Sequence, residues 1–168
     1  RRDKAMKQLF KITCSIMLAI IVTAFFSQQG FAAEPMTDAR AKDYAAIQTL
    51  IVKYAHVYDA RDVEGYVSVF ADDAVFSFTG NTLNGRKEIR EFITRVANSP
   101  EPALKSYHLI SNTLIEFVSD TQAHHRSYWQ IVTGASGGPF NVTNMGYYDD
   151  VVVKQNGQWL IKTRNIPN

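Results

Sequence analysis

The chain has 168 residues, 46% of them hydrophobic and one of them Cys, which suits a single folded domain with a real core and excludes disorder or a disulfide-stapled miniprotein. The formal charge of +2 misleads, because residues 1–32 carry Arg1, Arg2, Lys4, Lys7 and Lys11 against Asp3, and beyond them 13 basic residues face 15 acidic ones. A slightly acidic domain has no basic face to meet phosphates, so nucleic acid is not an expected partner.

Lys7 and Lys11 precede an apolar run from Ile12 to Phe26, followed by Ser27, two Gln, Gly30, Phe31, Ala32 and Ala33. Basic, apolar and small residues in that order predict a bacterial-type secretory signal peptide over residues 1–32, with the domain in 33–168. Cleavage after Ala32 puts Gly30 and Ala32 at the small-residue positions. The run is about 15 residues, short of the roughly 20 that span a bilayer. The expected location is periplasmic or secreted; an uncleaved anchor is the alternative, and membrane contact then runs through the leader alone. The one cysteine, Cys14, lies inside the leader, which leaves the domain without disulfides, thiolate chemistry or Cys-ligated zinc.

A helix is expected from about Thr37 to Tyr58, with Asp38 as N-cap and Ile47, Leu50, Ile51, Tyr54, Val57 and Tyr58 at helical spacing. Asp62 reads as the cap of a short helix through Phe70, ended by Ala71, Asp72 and Asp73. Ala74–Thr79 alternates like a strand, Gly80–Gly85 carries turn chemistry, and Arg86–Ala97 is amphipathic, with Ile89, Phe92, Ile93 and Val96 on one face. Pro100 and Pro102 stop it. Long β segments follow at about Lys105–Val118, Thr121–Thr133, Phe140–Lys154 and Gln158–Ile166, the last pair joined by Gln155-Asn156-Gly157. The expected class is α+β: a curved antiparallel sheet wrapped as a cone around one long and two shorter helices, with an internal cavity.

Asp59, a carboxylate at the end of an apolar stripe, most needs explanation; the plainer reading makes it a solvated loop residue beside Arg61. Period two puts His108, Ile110, Asn112 and Leu114 on one face of a strand, and if that face turns inward His108 meets Asp59, whose carboxylate would fix the tautomer and stabilise the imidazolium. A structural histidine is the alternative. His124 and His125 point to opposite faces and cannot both serve one site. No short-spaced motif supports a metal, no Gly-x-Ser-x-Gly context surrounds a serine, and no glycine-rich phosphate loop occurs. His56 falls off the apolar stripe and is expected to be exposed.

Taken in order, Tyr54-Ala-His-Val-Tyr58-Asp59-Ala-Arg-Asp62, Phe70-Ala-Asp-Asp-Ala74, Asn84-Gly85-Arg-Lys-Glu-Ile89, His108-Leu-Ile-Ser-Asn112, Gly146-Tyr-Tyr148-Asp-Asp150 and Gly157-Gln-Trp159 resemble the SnoaL-like branch of the nuclear transport factor 2 superfamily. Within it the resemblance is nearest to scytalone dehydratase and bile acid 7α-dehydratase-like proteins, and it covers about Ala41 to Ile166. It implies a cone-shaped α+β barrel, commonly a homodimer through the outer sheet face, with a cofactor-free acid–base site. The catalytic residues of those dehydratases fall here on Tyr58, Asp59 and His108: the histidine removes a proton α to a carbonyl, the aspartate holds the imidazolium, and a tyrosine hydroxyl polarises the carbonyl. A second substrate-facing tyrosine falls on Phe78, a second histidine on Trp129, and a late-strand serine and asparagine on Gly146 and Tyr148, which argues against scytalone as the substrate. The same alignment turns Ser127, Trp129 and Ile131 inward and His124, Arg126 and Tyr128 outward.

The expected function is therefore a cofactor-independent lyase (dehydratase) or isomerase acting by proton abstraction on a small, largely apolar cyclic molecule. Tyr54, Phe76, Phe78, Phe92, Asn112, Trp129 and Tyr148 are the expected pocket walls, and no metal or nucleotide is required. A non-catalytic carrier of a small hydrophobic ligand in the same cavity is the second reading, and a protein-interaction module working through the outer sheet face is the third.

Overall fold

Thr37, rather than Asp38, caps the first helix. Its hydroxyl accepts from the Arg40 N–H, and α1 runs Asp38–Asp59. Asp38 instead occupies the first turn, where its charge complements the helix dipole. The computed structural model describes residues 36–100 and 104–167, and the leader expected over residues 1–32 lies outside them. Helix α1 buries Ile47, Leu50, Ile51 and Tyr54, as the spacing predicts, together with Ala55, while Val57 and Tyr58 of the expected stripe are half-buried.

Asp62 caps α2 (Val63–Ser68) by accepting from the Gly65 N–H. Ala71-Asp72-Asp73 does not merely end that helix. These residues already belong to β1 (Phe70–Phe78), which starts where the Ile161 N–H donates to the Val69 carbonyl. The stretch expected as pure turn contains β2 (Asn81–Asn84), paired antiparallel to β1. Thr79 and Gly80, at φ 44° and 74°, form the two-residue reversal between them, a conformation with φ > 0 at both positions that suits the twist of a hairpin. Helix α3 (Gly85–Asn98) buries Ile89 and Ile93.

Four long strands complete the chain: β3 (Lys105–Phe117), β4 (Gln122–Gly134), β5 (Phe140–Gln155) and β6 (Gln158–Ile166). The sheet order is β2-β1-β6-β5-β4-β3. The class is α+β as expected, with two corrections: the curved sheet is not closed, and it is not wholly antiparallel. β1 pairs parallel to β6, because the chain passes through β2, α3 and three long strands before returning beside it. β3 is left as an edge strand against which α1 packs.

Two register shifts decide which side chains enter the cone. In β3 the pairing slips between Ser111 and Leu114, with Asn112 at φ 52°, so the inward phase passes from His108 and Ile110 to Thr113, Ile115 and Phe117. In β6 the pairing slips against Val151 and Val152, so the inward series Trp159, Ile161 continues at Arg164.

Candidate active site

Asp59 is the last residue of α1, and the helix end is built to hold it there. The Arg61 N–H donates to the Tyr58 carbonyl and the Asp62 N–H to the Val57 carbonyl, each at 2.9 Å. That is a Schellman closure, with Arg61 in the left-handed region at φ 54° where glycine is usual. The strain of about 1–2 kcal/mol for a side chain there is offset by the guanidinium, whose Nη1 donates to the Ser99 carbonyl at 2.6 Å and which also reaches the Ala97 and Pro100 carbonyls, tying the end of α3 to the end of α1.

From this position Asp59 meets His108 on the edge strand. Its Oδ1 lies 2.5 Å from His108 Nδ1, and its Oδ2 accepts from the His108 backbone N–H at 2.9 Å. A carboxylate accepts, so Nδ1 carries a proton, and in the neutral imidazole the lone pair then lies on Nε2. The backbone bond fixes the carboxylate in a second direction, so imidazole and strand are clamped together. The side chains are 15% and 12% exposed, shielded enough for the pair to be strong and open enough to meet a ligand. The Tyr58 ring stands edge-on to the imidazole, centroids 4.9 Å apart. Burial, and after it the neighbouring Tyr54 and Asp59, raise the Tyr58 pKa, so its hydroxyl stays protonated and can act as a hydrogen-bond donor.

Two clefts meet at this pair. A groove of about 650 Å³ runs along the seam between α1 and β3 and is lined by Val52, Ala55, His56, Asp59, Ala60, Tyr107, His108, Leu109 and Ile110. A second cleft of about 450 Å³ is lined by Tyr58, Asp59, Ala60, Arg61, Val96, Leu104, Lys105, Ser106, Tyr107, His108 and Ile131.

The structure brings Tyr58, Asp59 and His108 together, but the expected wall residues lie elsewhere. Tyr54, Phe76, Phe78, Phe92, Trp129 and Tyr148 line neither cleft. Phe76, Phe78 and Phe92 pack on one another, and Trp129 stacks on Tyr148. Tyr54 is held in the core by the Tyr66 hydroxyl at 3.1 Å and by Arg164, whose guanidinium lies 3.9 Å from both the Tyr54 and Tyr148 ring centres. Asn112 sits in the β3 bulge and is exposed, because the inserted residue breaks the alternation that put it in phase with His108. His124 and His125 take opposite faces, one exposed and one buried. Among the described residues, no group of three His, Cys, Asp or Glu is placed to hold a metal ion.

Two features escaped the sequence reading. The groove side of α1 carries His56, three residues before Asp59; that spacing puts both on one helix face and is legible without a structure. The second feature is a fully buried charge cluster. Asp150 accepts from His125 Nδ1 at 2.7 Å and from Arg164 Nε and Nη2 at 3.0 and 2.6 Å. Burial alone pushes the Asp150 pKa up, but the Arg164 charge and the bonds from His125 and Arg164 prevail and hold it below the usual carboxylate value.

With this geometry in view, the comparisons decide the family. A model of the SnoaL-like domain matches residues 39–165. The chain belongs to the SnoaL-like domain family. Among solved structures, this SnoaL-like chain is 28% identical to a protein of unknown function from Mycobacterium tuberculosis, with 82% of this chain and 78% of that one covered and a TM-score of 0.68. It is also 28% identical to a Novosphingobium aromaticivorans protein provisionally named a scytalone dehydratase, with 78% and 87% covered and a TM-score of 0.67. A cystatin-like fold from Nostoc punctiforme is 25% identical, with 75% and 90% covered and a TM-score of 0.64. No curated protein matches the sequence.

Proposed function

We propose that this SnoaL-like protein is a cofactor-independent lyase or isomerase that removes a proton α to the carbonyl of a small, largely apolar cyclic molecule. One observation carries the reading: Asp59 grips both Nδ1 and the backbone of His108, leaving Nε2 as a base beside two clefts of small-molecule size. His108 Nε2 takes the Cα proton, Asp59 stabilises the imidazolium, and the C–H electron pair enters an enolate. Return of that proton from the imidazolium to the β-hydroxyl, as the Cβ–O bond breaks and the enolate electrons form the C=C, releases water and completes a dehydration; its return to another carbon completes an isomerisation. Tyr58 braces the imidazole edge-on and presents a protonated hydroxyl next to it. The Novosphingobium relative's name supports a dehydration.

A suitable probe is 3-hydroxy-1-tetralone, which loses water to give 1-naphthol, a fluorescent product. Wild type should accelerate its formation and His108→Ala should not. An unchanged ligand recovered from the purified protein, with no conversion of β-hydroxy ketones, would replace this reading by that of a carrier.

The order of basic, apolar and small residues at the N-terminus supports export to the periplasm or beyond. Tyr128, Met145 and Tyr147 leave an apolar band exposed on the outer sheet face beside Arg126 and Asp149, which supports pairing of two copies there. Tyr128→Glu should lower the sedimenting mass if that face is the contact.

A further inference from the structure

We infer that Arg61 is a specificity-determining residue, whose guanidinium holds a carboxylate of the ligand at the cleft lined by Tyr58, Asp59 and His108. This rests on the acid–base reading of Asp59 and His108 and narrows its substrates to ring compounds that carry an acidic group away from the reacting carbon.

Arg61 stands in an unusual conformation for its type. It has φ 54° at the place in a Schellman closure where glycine costs least. Glycine would close the helix there without strain, so the side chain is what the position keeps.

The contacts of that side chain use only part of it. Nη1 donates to the Ser99 carbonyl at 2.6 Å and the Ala97 carbonyl at 3.4 Å, and Nη2 to the Pro100 carbonyl at 3.4 Å. These acceptors are neutral, and they take both N–H groups of Nη1 and one of Nη2. The Nε–H and the second Nη2–H have no acceptor among the described residues, and no carboxylate there pairs with the charge. Arg40, Arg86, Arg90, Arg126 and Arg164 each pair with an acid. Arg95 does not, but it is exposed, whereas Arg61 is half-buried. A half-buried cation without a counter-charge is the group that gains most from an anion brought to it.

The charge lies beside the dyad. Arg61 lines the cleft of about 450 Å³ together with Tyr58, Asp59 and His108. His108 and Ile131 are cross-strand partners and both line it, so this cleft opens on the inner side of the sheet. Burial raises the Tyr58 pKa, and the Arg61 charge is near enough to pull against that rise. Arg61 and Lys105 are cations on the cleft wall, and the acid there, Asp59, already gives both oxygens to His108. The chain beyond residue 32 is slightly acidic as a whole, so this wall departs from the rest of the domain. Two N–H groups on neighbouring nitrogens of a planar fork match the two oxygens of a carboxylate. A ligand gripped in that way presents its ring to His108 in a cleft of small-molecule size.

The test compares 1-tetralone with 1-tetralone-6-carboxylate, neither of which can eliminate water, by calorimetric titration at low salt. Wild type should bind the carboxylate at least tenfold more tightly, and the preference should shrink at about 0.5 M salt as the charge is screened. Glycine takes φ 54° freely, so Arg61→Gly keeps the helix end, and it should reduce the preference to within twofold. Arg61→Lys, which keeps the charge and loses the fork, should fall between. A merely structural role weakens both ligands alike, so an unchanged ratio in Arg61→Gly would overturn the proposal. Equal affinities in wild type would do the same, as would a larger loss of preference in Lys105→Met, or no binding of either ligand at millimolar concentration. In turnover, kcat/KM for 3-hydroxy-1-tetralone-6-carboxylate relative to 3-hydroxy-1-tetralone should fall at least tenfold in Arg61→Gly. If the preference behaves as expected but His108→Ala turns over like wild type, the acid–base reading fails while the carboxylate site stands; if His108→Ala is dead and the preference is absent, the carboxylate site alone fails.

Discussion

Two histidine–aspartate pairs occur among the described residues, and their chemistry is the same while their surroundings are opposite. His108–Asp59 joins a helix end to a sheet edge, is partly exposed, and opens onto two clefts. His125–Asp150 joins two neighbouring strands, has no exposure at all, and is closed off by Arg164 and the rings of Tyr54 and Tyr148. A pair with no exposure, its carboxylate already accepting three side-chain bonds, gives a substrate no way in. The exposed pair keeps a free imidazole nitrogen where a ligand can reach it. Access, not the presence of the pair, separates chemistry from scaffolding.

The largest effect should come from unpairing the buried cluster. Arg164→Met leaves Asp150 ionised without its cation and should lower the unfolding free energy by about 3–5 kcal/mol in urea titration. The mirror experiment at the exposed pair should reverse the pattern: His108→Ala or Asp59→Asn should lose about 10²–10⁴ in turnover while stability changes by roughly 1 kcal/mol or less. If both substitutions chiefly destabilise, the distinction between the pairs collapses.

Smaller changes sharpen it. A Cβ at Gly146 would lie 2.6 Å from Trp129 Cζ2, so Gly146→Ala should cost about 1–3 kcal/mol by overpacking the wall beside the buried cluster. Turnover of the folded fraction should be unchanged, since Trp129 lines neither cleft. Acid should act through the buried pair. A carboxyl held below its ordinary value adds stability above that value and loses it as pH falls through the depressed one. Asp150 should therefore make the protein less stable below about pH 4, and Asp150→Asn should flatten that part of the profile. Asp43, lowered by hydrogen bonds from Lys154 and then Trp159, adds to the same slope. The smallest effect is expected at Arg61→Gly, which relieves the left-handed strain but frees the α3 carbonyls, a net change within about 1 kcal/mol by thermal melting.

Much of this was legible before any coordinates. The stripe Ile47, Leu50, Ile51, Tyr54 and the cap at Asp62 are local features, separated by a few residues, and local spacing is what a sequence displays; the first helix is capped one residue earlier than its sequence suggests, at Thr37 instead of Asp38. The motif order from Tyr58 to Trp159 named the family, and with it the pairing of Asp59 with His108 across 49 residues of chain. Asn112 was misplaced because a bulge is a property of two strands in register, and one strand's alternation cannot show where its partner slips.

The sequence by itself determined the helices and the four long C-terminal strands, which depend on residues within a few turns, and through the family motifs the candidate dyad; the short β2 and the early start of β1 were not legible. Only the tertiary structure decided which histidine would be reachable. The β6 slip that turns Arg164 inward buries His125–Asp150, while the place of β3 at the sheet edge leaves His108 beside an open groove. Both outcomes follow from strand order and register, which are set by how the whole sheet buries its apolar face rather than by any one segment.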